Sequence, residues 1–127
     1  MSKVYIFLLL PIMASCQSNL DSQFSAENEK LINEWKSENK KFIEENRDKL
    51  SDAKMLQSLD SIVIEYTINK NKTLAVKYIK SKSGVKRLNF LKKNFSKEEV
   101  ASLLKEIPES IKKDTNYIAL KNYSNSK

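Results

Sequence analysis

The amino-acid sequence predicts a small α+β domain with a long N-terminal helix, an antiparallel β-hairpin and two short helices. Three observations support this fold class. Apolar residues recur at helical spacing over residues 26–50, they alternate with polar residues over 61–69 and 73–80, and a helix-capping signature stands at 96–99. The chain has 127 residues, a length that fits one folded domain.

The first predicted helix covers residues 26–50, with Ser25 as a suitable N-cap. Its apolar stripe consists of Leu31, Ile32, Trp35, Phe42, Ile43 and Leu50. Asn39 and Asn46 interrupt the stripe, which leaves two interpretations: a coiled-coil seam, or a single helix that covers one face of a small sheet. The single helix is favoured, because the segment holds fewer than four clean heptads.

The second element is the β-hairpin, with strands at about 61–69 and 73–80. Residues that lie opposite each other in a hairpin share a face, so the apolar sets of the two strands coincide only if Ile68 lies opposite Leu74. That register requires a loop with an odd number of residues, which we assign to residues 70–72.

Two short helices follow, at about 85–94 and 97–107. The second begins with the clearest local signature of the chain, because Ser96 is placed as an N-cap and Glu99 completes a capping box. Pro108 is expected to end this helix.

The C-terminal segment is ambiguous. Residues 117–120 favour a third strand, since a two-stranded hairpin alone is only marginally stable, and a helix is the alternative. The single predicted domain covers residues 26–123, and residues 124–127 are expected to fray.

The N-terminus has the composition of a secretory signal peptide over residues 1–15. Lys3 and the terminal amine form a positive region, residues 4–13 are apolar, and small residues follow. Ten apolar residues are too few to span a bilayer as a helix, which needs about 20. The alternatives are release of a soluble protein by ordinary signal peptidase and a buried strand over residues 4–13.

The tetrapeptide Met13-Ala14-Ser15-Cys16 resembles the lipobox of bacterial lipoproteins. In that family the cysteine thiol carries a diacylglyceryl thioether, the chain is cut before the cysteine, and the new amine is usually acylated. The resemblance implies that Cys16 is lipidated, that residues 17–25 form a polar tether, and that a membrane of the bacterial envelope holds the protein. The outer membrane is preferred to the inner one, with a periplasmic or surface-facing domain.

Charge is divided unevenly along the chain. Residues 17–60 have a net charge of −3, residues 61–127 have a net charge of +9, and residues 66–97 contain no acid. The bases of the acid-free stretch are Lys70, Lys72, Lys77, Lys80, Lys82, Lys86, Arg87, Lys92, Lys93 and Lys97. They predict a surface for an anionic lipid or an acidic protein, whereas nucleic acid is disfavoured for an exported chain. The alternative is a solvated face, compensated in part by the acidic first helix.

Composition argues against most classes of enzyme. The chain has no histidine, one cysteine and one glycine, which excludes histidine triads, cysteine-cluster metal sites and glycine-rich phosphate loops. We predict no catalytic, cofactor-binding or metal-ligating residue, and a role in binding or scaffolding at a membrane surface. A lipid-anchored inhibitor or immunity-type protein is the alternative, followed by a small enzyme that uses neither histidine nor metal.

Overall fold

The computed structural model describes the backbone of residues 2–127 and the side chains of residues 18–127. Six α-helices organise this part of the chain. They are α1 (Ser2–Asn46), α2 (Asp52–Ile64), α3 (Lys70–Lys77), α4 (Lys82–Leu91), α5 (Lys97–Leu104) and α6 (Thr115–Asn125). A π-helical turn, Glu65–Asn69, joins α2 directly to α3, and short 3-10 turns lie at Lys92–Asn94 and Glu109–Ile111.

The predicted α+β fold is wrong, because the backbone between residues 2 and 127 contains no strand. Both predicted hairpin strands, 61–69 and 73–80, lie in the helical segment from α2 to the turn after α3. The predicted third strand, 117–120, lies within α6. The first helix therefore packs on other helices and not on a sheet.

The π-helical turn shows why the alternating pattern was misleading. In a strand, Ile64 and Tyr66 would share one face, but here Ile64 is exposed and Tyr66 is buried. Buried side chains instead occur at multiples of four residues, at Tyr66, Leu74 and Tyr78. The wider hydrogen-bonding pattern of a π turn keeps such a series on one side of the helix. Tertiary packing has overridden the local preference of β-branched residues for strands.

The predicted helices exist, with shifted ends. The long N-terminal helix is confirmed, but α1 passes through Ser25 without a cap and ends before residue 50. The predicted helix at 85–94 corresponds to α4 and the 3-10 turn after it, and the one at 97–107 corresponds to α5. The capping box is confirmed: the Glu99 amide donates to Ser96 Oγ at 3.1 Å and the Ser96 amide donates to Glu99 Oε2 at 2.7 Å.

The main core belongs to the second half of the chain. It is formed by Ala75, Ile79, Val85, Leu88, Leu91, Phe95, Val100, Leu103, Leu104, Ile107, Ile111 and Leu120. A smaller cluster of Phe24, Leu74 and Tyr78, with Leu20 and Leu31 against it, joins α1 to α3. The first helix thus docks onto a core that residues 75–120 form by themselves.

The far end of α1 and the whole of α2 form a two-helix arm beyond this core. No residue of α2 is fully buried, and Leu56 and Ile64 are exposed. On the facing part of α1, Trp35 Nε1 and Asn39 Oδ1 are buried without a hydrogen-bond partner within the described residues. The arm is therefore less completely packed than the rest of the fold.

The only glycine of the chain lies where α4 meets the preceding turn. A Cβ atom at Gly84 would lie 1.8 Å from the carbonyl oxygen of Tyr78 and 3.1 Å from the backbone nitrogen of Ile79. Ser81, which is fully buried, connects the same groups: its hydroxyl accepts from the Gly84 amide at 3.0 Å and donates to the Tyr78 carbonyl at 2.9 Å. Helix α4 can begin here only because residue 84 has no side chain.

We expect Gly84→Ala to lower the free energy of unfolding by about 3 kcal/mol, because the added methyl group must displace backbone atoms of Tyr78. Urea titration followed by far-ultraviolet circular dichroism measures the change. Ser102→Ala, at an exposed position of α5, is the control and should leave the midpoint nearly unchanged. Equal midpoints for Gly84→Ala and the wild type would contradict the close approach.

Candidate functional site

The predicted basic residues fall into three groups in the structure, and the first group is neutralised by α1. Lys77 Nζ lies 2.8 Å from a carboxylate oxygen of Glu27, and Lys70 Nζ lies 3.9 Å from Glu34. The acidic first helix therefore compensates part of the basic stretch, as one of the sequence-based alternatives predicts.

Glu27 is the centre of the contact between α1 and α3. Its carboxylate accepts hydrogen bonds from Lys77 Nζ at 2.9 and 2.8 Å and from the Tyr78 hydroxyl at 2.6 Å. These bonds, the one from Lys77 above all, hold the pKa of Glu27 below its ordinary value. The Tyr78 ring also packs edge-on against Phe24, with ring centroids 5.6 Å apart. Polar and apolar contacts thus fasten the two helices at one place.

A second contact of the same kind lies further along α1. Tyr66, in the π-helical turn, donates its hydroxyl hydrogen to Glu38, and this hydrogen bond raises the pKa of Tyr66. Lys70 Nζ lies 4.1 Å from the centroid of the Tyr66 ring. Two Tyr–Glu hydrogen bonds therefore fix the position of α1 along the α2–α3 segment.

The second group of bases covers aromatic rings at the edge of the main core. Lys72 Nζ lies 4.4 Å from the centroid of the Phe95 ring. Lys92 and Lys97 both approach the Tyr123 ring, at 5.8 and 6.0 Å, and Lys97 also donates to a backbone carbonyl. Such contacts stabilise the fold and keep these three cations close to the protein surface.

Arg87 belongs to the same group but is half-buried. Its guanidinium donates to Asn28 Oδ1 at 2.9 Å and to Asn71 Oδ1, and its central carbon lies 5.3 Å from the centroid of the Phe24 ring. Asn71 is held in turn by a 2.6 Å hydrogen bond to the Tyr66 carbonyl. Burial lowers the pKa of Arg87, and no acid of the described side chains forms an ion pair with it.

The third group consists of Lys80, Lys82, Lys86 and Lys93. Within residues 18–127 these four side chains make no hydrogen bond, ion pair or ring contact. Phe90 lies among them in the sequence and is 83% exposed. Because Lys82, Lys86 and Phe90 are spaced four residues apart, they share one side of the helix. Lys93 follows in the 3-10 turn after α4. We call Lys82, Lys86, Phe90 and Lys93 together the α4 face.

The sequence predicts that three aromatic residues of the basic stretch, Tyr66, Tyr78 and Phe90, are core residues, and the exposure of Phe90 corrects this prediction. Tyr66 and Tyr78 are buried, as predicted. The signal for Phe90 was present in the spacing of Val85, Leu88 and Leu91. These residues define the buried stripe of α4, and position 90 lies outside it.

The start of α4 contacts a residue of α1 that follows the predicted lipidation site closely in the sequence. The signal peptide, 1–15, and Cys16 lie outside the residues whose side chains are described. Residues 17–25, predicted as a tether, belong to α1, and Asp21 Oδ1 accepts from the Ser83 amide at 2.8 Å. Cys16 and Asp21 are five positions apart, a distance of at most about 18 Å even for an extended chain.

Comparison with protein-family models, curated proteins and solved structures finds no match for this chain. Over the described residues, no helix is both long and apolar enough to cross a membrane. The same residues contain no group of three or more His, Cys, Asp or Glu side chains suited to a metal ion. Function is therefore inferred from the α4 face and from the surroundings of Arg87.

We expect Glu27→Gln to lower the free energy of unfolding at neutral pH and to have less effect in acid. The pKa of Glu27 is lower in the folded chain than its ordinary value of 4.5. Its stabilising contribution is therefore complete above about pH 4.5 and is lost as the pH falls through the folded-state pKa.

Urea titrations of both chains at a series of pH values measure this difference. Glu29→Gln, an exposed position on α1 whose side chain contacts no partner in the described structure, is the matched control. A Glu27→Gln effect that stayed constant across the acid range would contradict the role of the carboxylate.

Proposed function

We propose that this chain is a lipid-anchored, non-enzymatic binding protein of a bacterial envelope, and that its α4 face contacts an anionic membrane surface. The observation that carries the proposal is the composition of that face, where an exposed phenylalanine accompanies three lysines that have no partner among the described side chains. Binding is proposed in place of catalysis because the chain has no histidine, and its one cysteine is the predicted lipidation site.

A membrane surface suits this combination of side chains. Each lysine close to an anionic bilayer contributes about 1 kcal/mol to binding, and a buried phenylalanine side chain contributes about 2 kcal/mol. Lysine side chains are long enough to reach lipid phosphates while Phe90 enters the boundary between head groups and acyl chains. An acidic protein would use the lysines but would need an apolar pocket for Phe90.

The contact between α1 and α4 also supports an orientation in which the α4 face meets the membrane. Asp21 binds the first turn of α4 through the Ser83 amide, and its carboxylate also suits the positive end of the helix dipole. A lipid on Cys16 would hold residue 21 near the bilayer, and α4 with it. Weak contacts are sufficient in this arrangement, because the anchor already supplies a high local concentration of membrane.

We expect metabolic labelling with an alkyne fatty acid to mark the full-length chain and Cys16→Ala to abolish the label. The reason is that the thiol of Cys16 is the acceptor in the lipobox that this segment resembles. Ser15→Ala, which keeps the cysteine and a small neighbour, is the control and should remain labelled. Undiminished labelling of Cys16→Ala would rule out this anchor.

We expect the α4 face to be protected from amine acetylation when the anchored chain is reconstituted in vesicles that contain phosphatidylglycerol. Lys82, Lys86 and Lys93 should react about five-fold more slowly than in phosphatidylcholine vesicles, since each contributes about 1 kcal/mol. High salt should remove the protection. Peptide mass spectrometry measures each lysine separately.

The same molecules contain their own controls in the exposed residues Lys105, Lys113 and Lys121, whose rates should not depend on lipid charge. Equal rates for the α4 face in both kinds of vesicle would contradict the membrane contact. Protection that required added envelope proteins would instead identify an acidic protein as the partner.

A further inference from the structure

A groove between α1 and α4 adjoins the α4 face but has a different character. It encloses about 250 Å³ and is lined mainly by Asn28, Ile32, Trp35, Tyr66, Arg87 and Phe90. A neighbouring hollow of about 400 Å³ shares Arg87 and Phe90 and adds Lys86. Among the described residues, neither lining includes an acid, whereas two other grooves beside α1 have glutamates in their linings.

Arg87 is the charged group of this groove, and its charge is not neutralised by the described side chains. Two of its five N–H groups are used on neutral amide oxygens, those of Asn28 and Asn71. A half-buried cation without an acidic partner is unfavourable, and amide dipoles offset only part of its lost hydration. An anion placed in the groove would restore the balance through charge-assisted hydrogen bonds.

The guanidinium is held in position before any ligand arrives. Asn28 is fixed on α1, and Asn71 is fixed by its hydrogen bond to the Tyr66 carbonyl in the π-helical turn. Short π turns within α-helices occur frequently at functional sites. Here the π-helical turn places Asn71 against Arg87. The π-helical backbone and the guanidinium that lacks an acidic partner are therefore parts of the same site.

The remaining walls determine what kind of anion fits. Ile32 and Phe90 leave apolar surface open to solvent, and Trp35 lines the groove between them and the π-helical turn. Apolar walls with a few fixed polar groups are typical of sites for small molecules. The lack of an acidic side chain in the lining disfavours amino acids and other zwitterions, whose ammonium groups would have no partner.

We propose that this groove binds an apolar carboxylic acid of the fatty-acid type, with its carboxylate paired to Arg87 and its chain against Ile32, Trp35 and Phe90. The planar guanidinium matches a carboxylate in bidentate geometry, which a lysine would not. This site shares Phe90 with the α4 face, but it pairs its ligand with Arg87 and does not use the lysines of that face.

The sole tryptophan of the chain, Trp35, makes the proposal directly testable. The full-length lipidated chain in uncharged detergent is titrated with octanoate, octanol and octyltrimethylammonium while the emission of Trp35 is recorded. We expect a saturable change with octanoate, at least about ten-fold weaker binding of octanol, and no saturable change with the cation. Equal affinities for octanoate and octanol would overturn the proposal.

Variants locate the site. Arg87→Met should weaken octanoate binding at least about ten-fold, and Lys93→Met, on the α4 face, should leave it unchanged. Phe90→Glu changes an exposed residue, so it tests the same groove without dependence on the buried hydrogen bonds of Arg87, and it should also weaken binding by repulsion. Full octanoate affinity in Phe90→Glu, or in a folded Arg87→Met chain, would overturn the proposal.

The two proposals can fail separately. If the α4 face showed no protection from acetylation but octanoate bound normally, only the proposed membrane contact would be contradicted. If the α4 face were protected from acetylation but octanoate bound no better than octanol, only the proposed carboxylate site would be contradicted.

Discussion

The docking of α1 onto α3 is the contact on which the rest of the molecule depends. The main apolar core lies within residues 75–120, and within residues 18–46 of α1 Phe24 is the one buried side chain. What aligns the long helix is the Glu27 carboxylate, which binds both Lys77 and Tyr78. This alignment sets the wall of the groove opposite α4 and brings Asp21 to the first turn of α4. The groove therefore exists only because a mostly polar helix is held in one register.

The same docking decides where the basic charge is effective. Acids of α1 neutralise Lys70 and Lys77, and aromatic rings cover several other cations. The lysines of the α4 face keep their charge available, because they have no partners among the described side chains. The lysines of the α4 face thus carry one part of the net charge of +9 over residues 61–127, and Arg87 forms a separate, half-buried site.

The limits of the sequence pattern are clearest over residues 61–80. Ile64 and Tyr66 alternate with polar residues as a strand would require, yet one is exposed and the other is buried in a π-helical turn. Alternation describes only near neighbours, whereas the choice of helix here comes from packing of Leu74 and Tyr78 against α1, about fifty residues earlier in the chain. The role of Gly84 was equally hidden, since its close approach to Tyr78 depends on the turn before α4.

Features with short-range physical causes could be predicted from the sequence by itself. The capping box at Ser96 and Glu99 is such a feature, because a side chain and a backbone amide three residues apart satisfy each other. The existence of the long first helix and of α5, and the uneven distribution of charge, also followed from composition and spacing. The tertiary structure alone decided that 61–80 is helical, that Phe90 faces solvent and that Arg87 is half-buried beside two amides. Each of these depends on which distant side chains exclude water from a given residue, and no local spacing contains that information.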